Sequence, residues 1–208
     1  MNNTFDSCAS KYDVNIRKSI PNYPEICKFT AQQFKGRKKI LDAGCGTGTV
    51  SLLLAEQGNY VTCLDTSRNM LDVAKRKAKS KNLDKKLIFK NAKIERTSYK
   101  NQFDGLLCNF LLYFTDRRNA IPALIKSVKH NGKVVITDIS STNSLLGRFR
   151  KYWLRLTQVL NSTPVADLWT KEQTLKLLKK QGLKNIRVKK ISSTLIGIPI
   201  IMFTAKKA

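Results

Sequence analysis

A glycine-rich block with acids close to it is the part of the sequence best suited to bind a charged ligand. The block, DAGCGTG at residues 42–48, follows an apolar run and precedes a helical pattern. Glycines let a backbone turn sharply and approach a ligand, and a helix N-terminus behind them offers free N–H groups. Asp65 closes the next apolar run, where it can accept hydrogen bonds from a ribose diol. This arrangement predicts a site for a nucleoside cofactor.

The spacing of the glycines distinguishes between two classes of cofactor. A dinucleotide fingerprint requires G-x-G-x-x-G, whereas this block is G-x-G-x-G and is followed by Thr49. Asp42 would repel a pyrophosphate but suits the ammonium of a methionine zwitterion. Both features argue against a nicotinamide oxidoreductase. The block instead resembles motif I of the class I S-adenosylmethionine-dependent methyltransferases.

The resemblance extends over most of the chain and implies roles for further residues. Residues 62–71 look like the family's second motif, in which the acid holds the ribose and the next helix borders the adenine. Asn91 stands where the family usually has Asp beside the adenine amino group, although an Asn oxygen can still accept that hydrogen bond. The resemblance implies that S-adenosylmethionine is the cofactor, with contacts from Asp42, Gly44, Cys45, Gly46, Gly48, Asp65, Thr66, Met70, Asn91, Ala92 and Asn109.

The first residues carry a more particular resemblance. The run FDSCASKYDV at residues 5–14 is similar to the start of the ubiquinone and menaquinone C-methyltransferases, but their Tyr-Arg-Tyr-Leu stretch is missing. The expected acceptor is a small molecule, with a quinone precursor as one candidate. Methyl transfer mainly requires positioning, and a base is needed only if the acceptor must lose a proton. The candidate bases are Tyr12, Asp13, Tyr113 and Asp116.

Each candidate base also has a structural interpretation, because a tyrosine can simply pack and Asp116 can cap the helix that follows it. If the N-terminal leader, residues 1–35, folds over the carboxyl edge of the predicted sheet, we expect Tyr12, Asp13, Phe110 and Tyr113 to line one pocket.

Strand and helix patterns alternate along the chain, which is typical of a parallel sheet with crossover helices. We expect a Rossmann-like α/β fold with a seven-stranded, mostly parallel sheet and helices on both faces. Ser67 and Thr170 are expected to cap helices, and Asn131 with Gly132 to end one. The predicted strands lie at residues 39–42, 60–65, 87–90, 103–110, 133–139, 186–191 and 199–204.

The chain is predicted to form one domain over residues 1–208. Its expected parts are an N-terminal helical cap (1–35), the cofactor-binding core (36–142), an inserted lid helix (143–169) and a C-terminal helix with a strand pair (170–208). No apolar run approaches the ~20 residues of a membrane span, and no signal peptide is evident, which predicts a cytoplasmic protein. The cysteines are scattered, which favours reduced thiols over a disulfide framework or a metal site.

The formal net charge of +25 admits several partners. It is compatible with nucleic acid, an anionic membrane, an acidic substrate or merely solvated lysine-rich helix faces. Residues 145–160 combine an apolar helical stripe with four basic residues, which predicts either a lid helix or peripheral contact with an anionic membrane. The basic residues are Arg148, Arg150, Lys151 and Arg155.

Two other functions remain as alternatives on the basis of charge. One is a nucleic-acid (RNA) methyltransferase, although NFLL at residues 109–112 lacks the prolines and the stacking aromatic of the Asn-Pro-Pro-aromatic motif. The other is a non-catalytic basic binding module, which would not require the glycine block and Asp65.

Overall fold

A seven-stranded sheet positions the candidate residues, as the alternating pattern predicts. The computed structural model describes residues 4–142 and 168–208. The strands of this part are β1 (Lys39–Ala43), β2 (Tyr60–Asp65), β3 (Leu87–Asn91), β4 (Phe103–Asn109), β5 (Val128–Ile139), β6 (Leu183–Ser193) and β7 (Pro199–Lys207). Their spatial order is β3-β2-β1-β4-β5-β7-β6. Strands β1 to β5 pair in parallel and β7 runs antiparallel to both of its neighbours, so the predicted fold class is confirmed.

Helices precede and connect the strands. In the described ranges they are α1 (Thr4–Cys8), α2 (Tyr12–Ser19), α3 (Tyr23–Gln32), α4 (Thr49–Glu56), α5 (Arg68–Ser80), α6 (Arg117–Ser127) and α7 (Lys171–Lys180). The leader is therefore helical, as predicted. The two predicted caps are also confirmed: Ser67 Oγ accepts a hydrogen bond from Met70 N, and Thr170 forms a capping box with Gln173. The predicted helix within residues 145–160 lies outside the described residues.

The junction between α6 and β5 differs from the prediction. The sequence predicts a helix that ends at Asn131 and Gly132, but α6 ends at Ser127 and β5 begins at the next residue. Val128 pairs with Phe103 before the pairing with β4 shifts its register. A Cβ on Gly132 would lie 2.3 Å from Val128 Cγ1. Gly132, which suggested the end of a helix, instead allows the irregular start of β5 to pack closely against Val128.

Apolar side chains fill both faces of the sheet. On one face, buried residues of α3, α4 and α5 pack against β1 and β2, with Phe34, Ile40 and Leu54 fully buried. On the other face, α6 and α7 pack against β4, β5 and β7, with Leu106 and Leu178 fully buried. This packing holds the carboxyl ends of β1, β2 and β4 in one place. No helix in the described part of the chain is long and apolar enough to cross a bilayer.

Candidate functional site

A cavity of about 600 Å³ lies at the carboxyl ends of β1, β2 and β4. This is the edge at which open α/β sheets bind ligands. Residues on its wall come from the glycine block, from the ends of β2 and β4 and from the leader. Among the residues predicted to bind a cofactor, those that line this cavity are Gly44, Gly46, Asp65, Thr66, Met70, Ala92 and Asn109.

The glycine block adopts a turn that side chains would hinder. Gly44, Gly46 and Gly48 have φ angles of 71°, 53° and 76°, in the left-handed region that favours glycine. A Cβ on Gly44 would lie 2.7 Å from the Leu111 side chain. A Cβ on Gly48 would lie 3.0 Å from Ala74 Cβ. Gly48 therefore serves the packing of the loop on α5, whereas Gly44 and Gly46 border the cavity.

Asp65, the last residue of β2, faces the cavity with its carboxylate held by backbone groups. Gly46 N donates a hydrogen bond to Oδ2 and Ser67 N donates one to Oδ1, both at 2.8 Å. Burial raises the pKa of Asp65, and these backbone N–H groups oppose that effect. Each carboxylate oxygen can accept a second hydrogen bond, so the fixed carboxylate can also receive two donors from a ligand.

Asp42 lies beneath the glycine block rather than on the wall of the larger cavity. Its side chain is buried and accepts a hydrogen bond from Ser51 Oγ. Burial raises the pKa of Asp42 to about 7, although the Ser51 hydrogen bond opposes the shift. Asp42 lines a second cavity of about 20 Å³ together with Cys45, Thr47 and Tyr12. That volume accommodates a single water-sized polar group.

Asn109 borders both cavities at the end of β4. Its Oδ1 atom is buried and accepts no hydrogen bond from the described residues. The next residue, Phe110, has a φ angle of 52°, which is costly for a bulky side chain and typical of functional sites. A buried acceptor without a donor is unfavourable. A ligand in the cavity can therefore supply the hydrogen-bond donor that Asn109 Oδ1 lacks among the described residues.

Asn91 is placed at the edge of the site and is not on the cavity wall. Its Nδ2 donates hydrogen bonds to the backbone oxygens of Asp65 and Thr66, at 3.1 and 2.9 Å. The side chain thus ties the end of β3 to the end of β2. Ala92, which follows it, lines the cavity.

The leader lies beside the site, where two of its carboxylates contact α5 and the glycine block. The Asp6 carboxylate accepts a hydrogen bond from Asn69 N, at the start of α5, at 3.1 Å. The Asp13 carboxylate accepts one from Thr47 Oγ1 in the glycine block at 2.6 Å. It also forms an ion pair with Lys77 Nζ of α5 at 2.8 Å. These contacts place the leader residues between them next to the cavity.

Two leader aromatics contribute to the wall of the larger cavity. Phe5 and Tyr12 both line it, and the ring of Phe5 meets that of Phe114 edge to face, with centroids 5.1 Å apart. Burial raises the pKa of Tyr12, and the nearby Asp65 carboxylate raises it further. Tyr12 is therefore suited to donate a hydrogen bond at neutral pH and not to accept a proton.

The structure places two of the four candidate bases on the wall of the larger cavity. Tyr12 and Asp116 line the cavity, and Asp116 also caps α6 by accepting a hydrogen bond from Arg118 N at 3.0 Å. Asp13 and Tyr113 are absent from its wall, so the expectation that they share one pocket with Tyr12 is wrong.

Asp13 and Tyr113, the two candidate bases that are not on the cavity wall, each have a structural role. Burial raises the pKa of Asp13, but the hydrogen bonds from Lys77 and Thr47 outweigh burial and leave that pKa below its usual value. Tyr113 is 8% exposed and belongs to the core, where burial raises its pKa well above the usual range.

Some residues on the cavity wall are not among the site residues predicted from the sequence. They follow the ends of β3 and β4, and a signal for them existed, because loops after parallel strands form the ligand-binding edge of such sheets. They include Ile94, Arg96, Leu111, Phe114 and Thr115.

Comparisons with known proteins agree with this geometry. Residues 40–132 match the family described as a methyltransferase domain. The chain is 31% identical over 161 residues to a demethylmenaquinone methyltransferase of Oceanobacillus iheyensis, an alignment that covers 74% of this chain and 67% of that protein. It is 35% identical over 107 residues to the mitochondrial ubiquinone biosynthesis O-methyltransferase of Schizosaccharomyces pombe, covering 50% of this chain and 39% of that protein.

Solved structures share the fold at low sequence identity. The magnesium protoporphyrin IX methyltransferase of Synechocystis, with bound SAH, superposes with a TM-score of 0.72 at 18% identity, covering 92% of this chain and 86% of that one. The [4+2]-cyclase SpnF superposes with a TM-score of 0.74 at 16% identity, covering 88% and 81%. Because a cyclase shares it, the fold alone does not define a reaction.

The chain belongs to the class I S-adenosylmethionine-dependent methyltransferases. Within that class it is similar to methyltransferases of ubiquinone and menaquinone biosynthesis. The alignments cover 39% to 67% of the length of these curated relatives.

Proposed function

We propose that this protein transfers the methyl group of S-adenosylmethionine to a small, largely apolar acceptor, with a quinone precursor as the leading candidate. The observation that carries the proposal is the mixed lining of the 600 Å³ cavity. Gly44, Gly46 and the Asp65 carboxylate line it together with the aromatic residues Phe5, Phe110 and Phe114. A cavity of this kind suits a polar nucleoside beside an apolar ring.

The polar residues of the lining fit S-adenosylmethionine, which supplies an electrophilic methyl group when bound. Asp65 offers two acceptor positions for the ribose diol, and Gly44 and Gly46 leave the loop open to close approach. Asn109 Oδ1, a buried acceptor without a donor among the described residues, would accept from the ammonium of the methionine moiety. Asp42 would add negative charge below that ammonium.

The residues of this chain would act on the acceptor mainly by positioning it. Holding two reactants in line can contribute ~7–11 kcal/mol to lowering a barrier. The aromatic residues of the lining would orient a flat acceptor and exclude water, and the Tyr12 hydroxyl would donate a hydrogen bond to a polar group on that acceptor. Asp116 is the candidate base on the cavity wall with a carboxylate that could take a proton from a hydroxyl acceptor.

Substitution of Asp65 with alanine tests the assignment of the cofactor. We expect S-adenosylhomocysteine to bind ~10- to 150-fold more weakly, because charge-assisted hydrogen bonds contribute ~1.5–3 kcal/mol. Isothermal titration calorimetry measures the change. Asp72→Ala is the matched control, since Asp72 is an exposed carboxylate on α5 that pairs with Lys75. Tight binding of NAD, or no change in affinity in the Asp65 variant, would contradict the proposal.

A lipophilic acceptor would be met at a membrane, so we also propose a cytoplasmic protein that contacts anionic lipid through residues 145–160. Each basic residue near the headgroups contributes ~1 kcal/mol. Wild type is expected to sediment with anionic vesicles at low salt. A variant with Arg148, Arg150, Lys151 and Arg155 changed to Gln should remain in the supernatant.

A control for this experiment removes the same charge elsewhere on the surface. Exposed lysines changed to Gln for this purpose should leave sedimentation unaltered; they are Lys176, Lys179, Lys180 and Lys184. If wild type fails to sediment, residues 145–160 do not contact the membrane.

A further inference from the structure

Another concave surface includes the amino ends of β1, β2 and β4. It has a volume of about 580 Å³, and in the described part of the chain it shares no lining residue with the 600 Å³ cofactor cavity. Lys39, Tyr60 and Phe103, the first residues of β1, β2 and β4, line it together with Ile88 of β3. We name this surface the amino-edge groove.

The crossover between β3 and β4, which contributes Tyr99 and Gln102 to the groove, is short. Parallel strands are usually connected by a helix that covers the sheet. Between β3 and β4, however, residues 92–102 form only a three-residue 3-10 turn, Ile94–Arg96. Thr62 and Ile88 are register partners on the sheet surface that this connection leaves open. Ile88 is 57% exposed and Tyr60 is 59% exposed, which is high for large apolar side chains.

The border of the groove is basic. The lysines that line it are Lys39, Lys85, Lys86, Lys90 and Lys129. Lys129 forms an ion pair with Asp104 at 2.7 Å. In the two described ranges, Lys39, Lys85 and Lys90 have no carboxylate within ion-pair distance. Their positive charges are therefore available to an anionic partner.

We propose that the amino-edge groove binds a single strand of nucleic acid. Single strands are bound where a basic groove follows the phosphates and exposed aromatic side chains stack on the bases. The lysines supply the first element and Tyr60 supplies the second. The lysines border a concave surface, which a strand can follow but a flat bilayer cannot enter. This binding would be independent of methyl transfer, because no described residue lines both the groove and the cofactor cavity.

The Lys85→Gln/Lys90→Gln variant tests the electrostatic part of this proposal. Fluorescence anisotropy of a labelled oligouridylate of about twelve nucleotides is the measurement. Loss of two contacts should reduce the slope of log Kobs against log salt by about 1.4, and the affinity at about 0.1 M salt by roughly 25-fold. The matched control, Lys179→Gln/Lys180→Gln, removes the same charge from exposed positions on α7 and should leave affinity within twofold to threefold of wild type, roughly the limit of a diffuse charge effect.

Substitutions of Tyr60 test the stacking part. Tyr60→Ala should weaken the oligonucleotide about fivefold or more, whereas Tyr60→Phe retains the ring and should bind like wild type. S-adenosylhomocysteine should bind all of these variants with unchanged affinity. The proposal is overturned if wild type does not bind the oligonucleotide at low salt, or if the α7 control weakens binding as much as the groove variant. It is also overturned if the groove lysines support sedimentation with anionic vesicles but not oligonucleotide binding.

Discussion

Replacing Arg117 with methionine is expected to lower the free energy of unfolding by ~3–5 kcal/mol. The guanidinium and the Asp138 carboxylate form an ion pair at 3.1 Å, with side chains only 2% and 3% exposed. Arg117 also donates a hydrogen bond to Thr174 Oγ1 at 3.2 Å and lies over the Trp169 ring. Its loss would leave a carboxylate buried without its cation, at a point where α6, β5 and α7 meet.

Urea denaturation of this variant measures the change. Arg118→Met is the matched control, because Arg118 is the next residue and is exposed. The double variant Arg117→Met/Asp138→Leu should recover much of the lost stability, since an apolar pair can replace a buried ion pair. Equal stability of wild type and the Arg117 variant would show that the ion pair does not stabilise the fold.

The same variant should respond to pH in a defined direction. Burial raises the pKa of Asp138 to about 7, and Arg117 opposes that rise. The folded chain therefore retains a proton that the unfolded chain has released, so this group favours folding at low pH and the benefit is lost as pH rises through about 7. Without Arg117 the pKa of Asp138 rises further. The stability deficit of the variant should thus be larger at about pH 8 than at about pH 6.

Deletion of residues 1–13 is expected to abolish methyl transfer while S-adenosylhomocysteine affinity falls only a few-fold. The deletion removes Phe5 and Tyr12 from the cavity wall but keeps Asp65 and the glycine block. It also keeps Ile20, which is 1% exposed and packs in the core. The acceptor site would therefore lose one side, whereas most of the cofactor site would remain.

The measurement for this deletion is transfer of labelled methyl groups from S-adenosylmethionine to a cell extract. With wild type, we expect the label in the organic phase of the extract, and label in RNA would favour the nucleic-acid alternative. Val14→Ser, at an exposed position of the leader, is the control and should retain activity. Full activity after the deletion would show that the leader is not part of the acceptor site.

Local signals were sufficient for most of the fold. Residues 60–65 were predicted as a strand and form β2 with the same bounds, because an apolar run that ends in an acid suits a central parallel strand. The turn at Gly44 and the position of Asp65 were likewise evident from neighbouring residues. The start of β5 was not, because Asn131 and Gly132 suit a helix end as well as they suit the irregular strand seen here.

The sequence by itself determined the strand–glycine–helix unit and the acid after the second strand, since these depend on residues that are close in the chain. Only the tertiary structure decided which polar groups are paired. Asp13 was a candidate base until the fold brought it to Thr47 and Lys77, which are 34 and 64 positions away. Arg117 is one of two adjacent arginines, and only the packing of α6 against β5 buries it beside Asp138. Pairing of this kind depends on contacts between distant segments, and local periodicity carries no information about them.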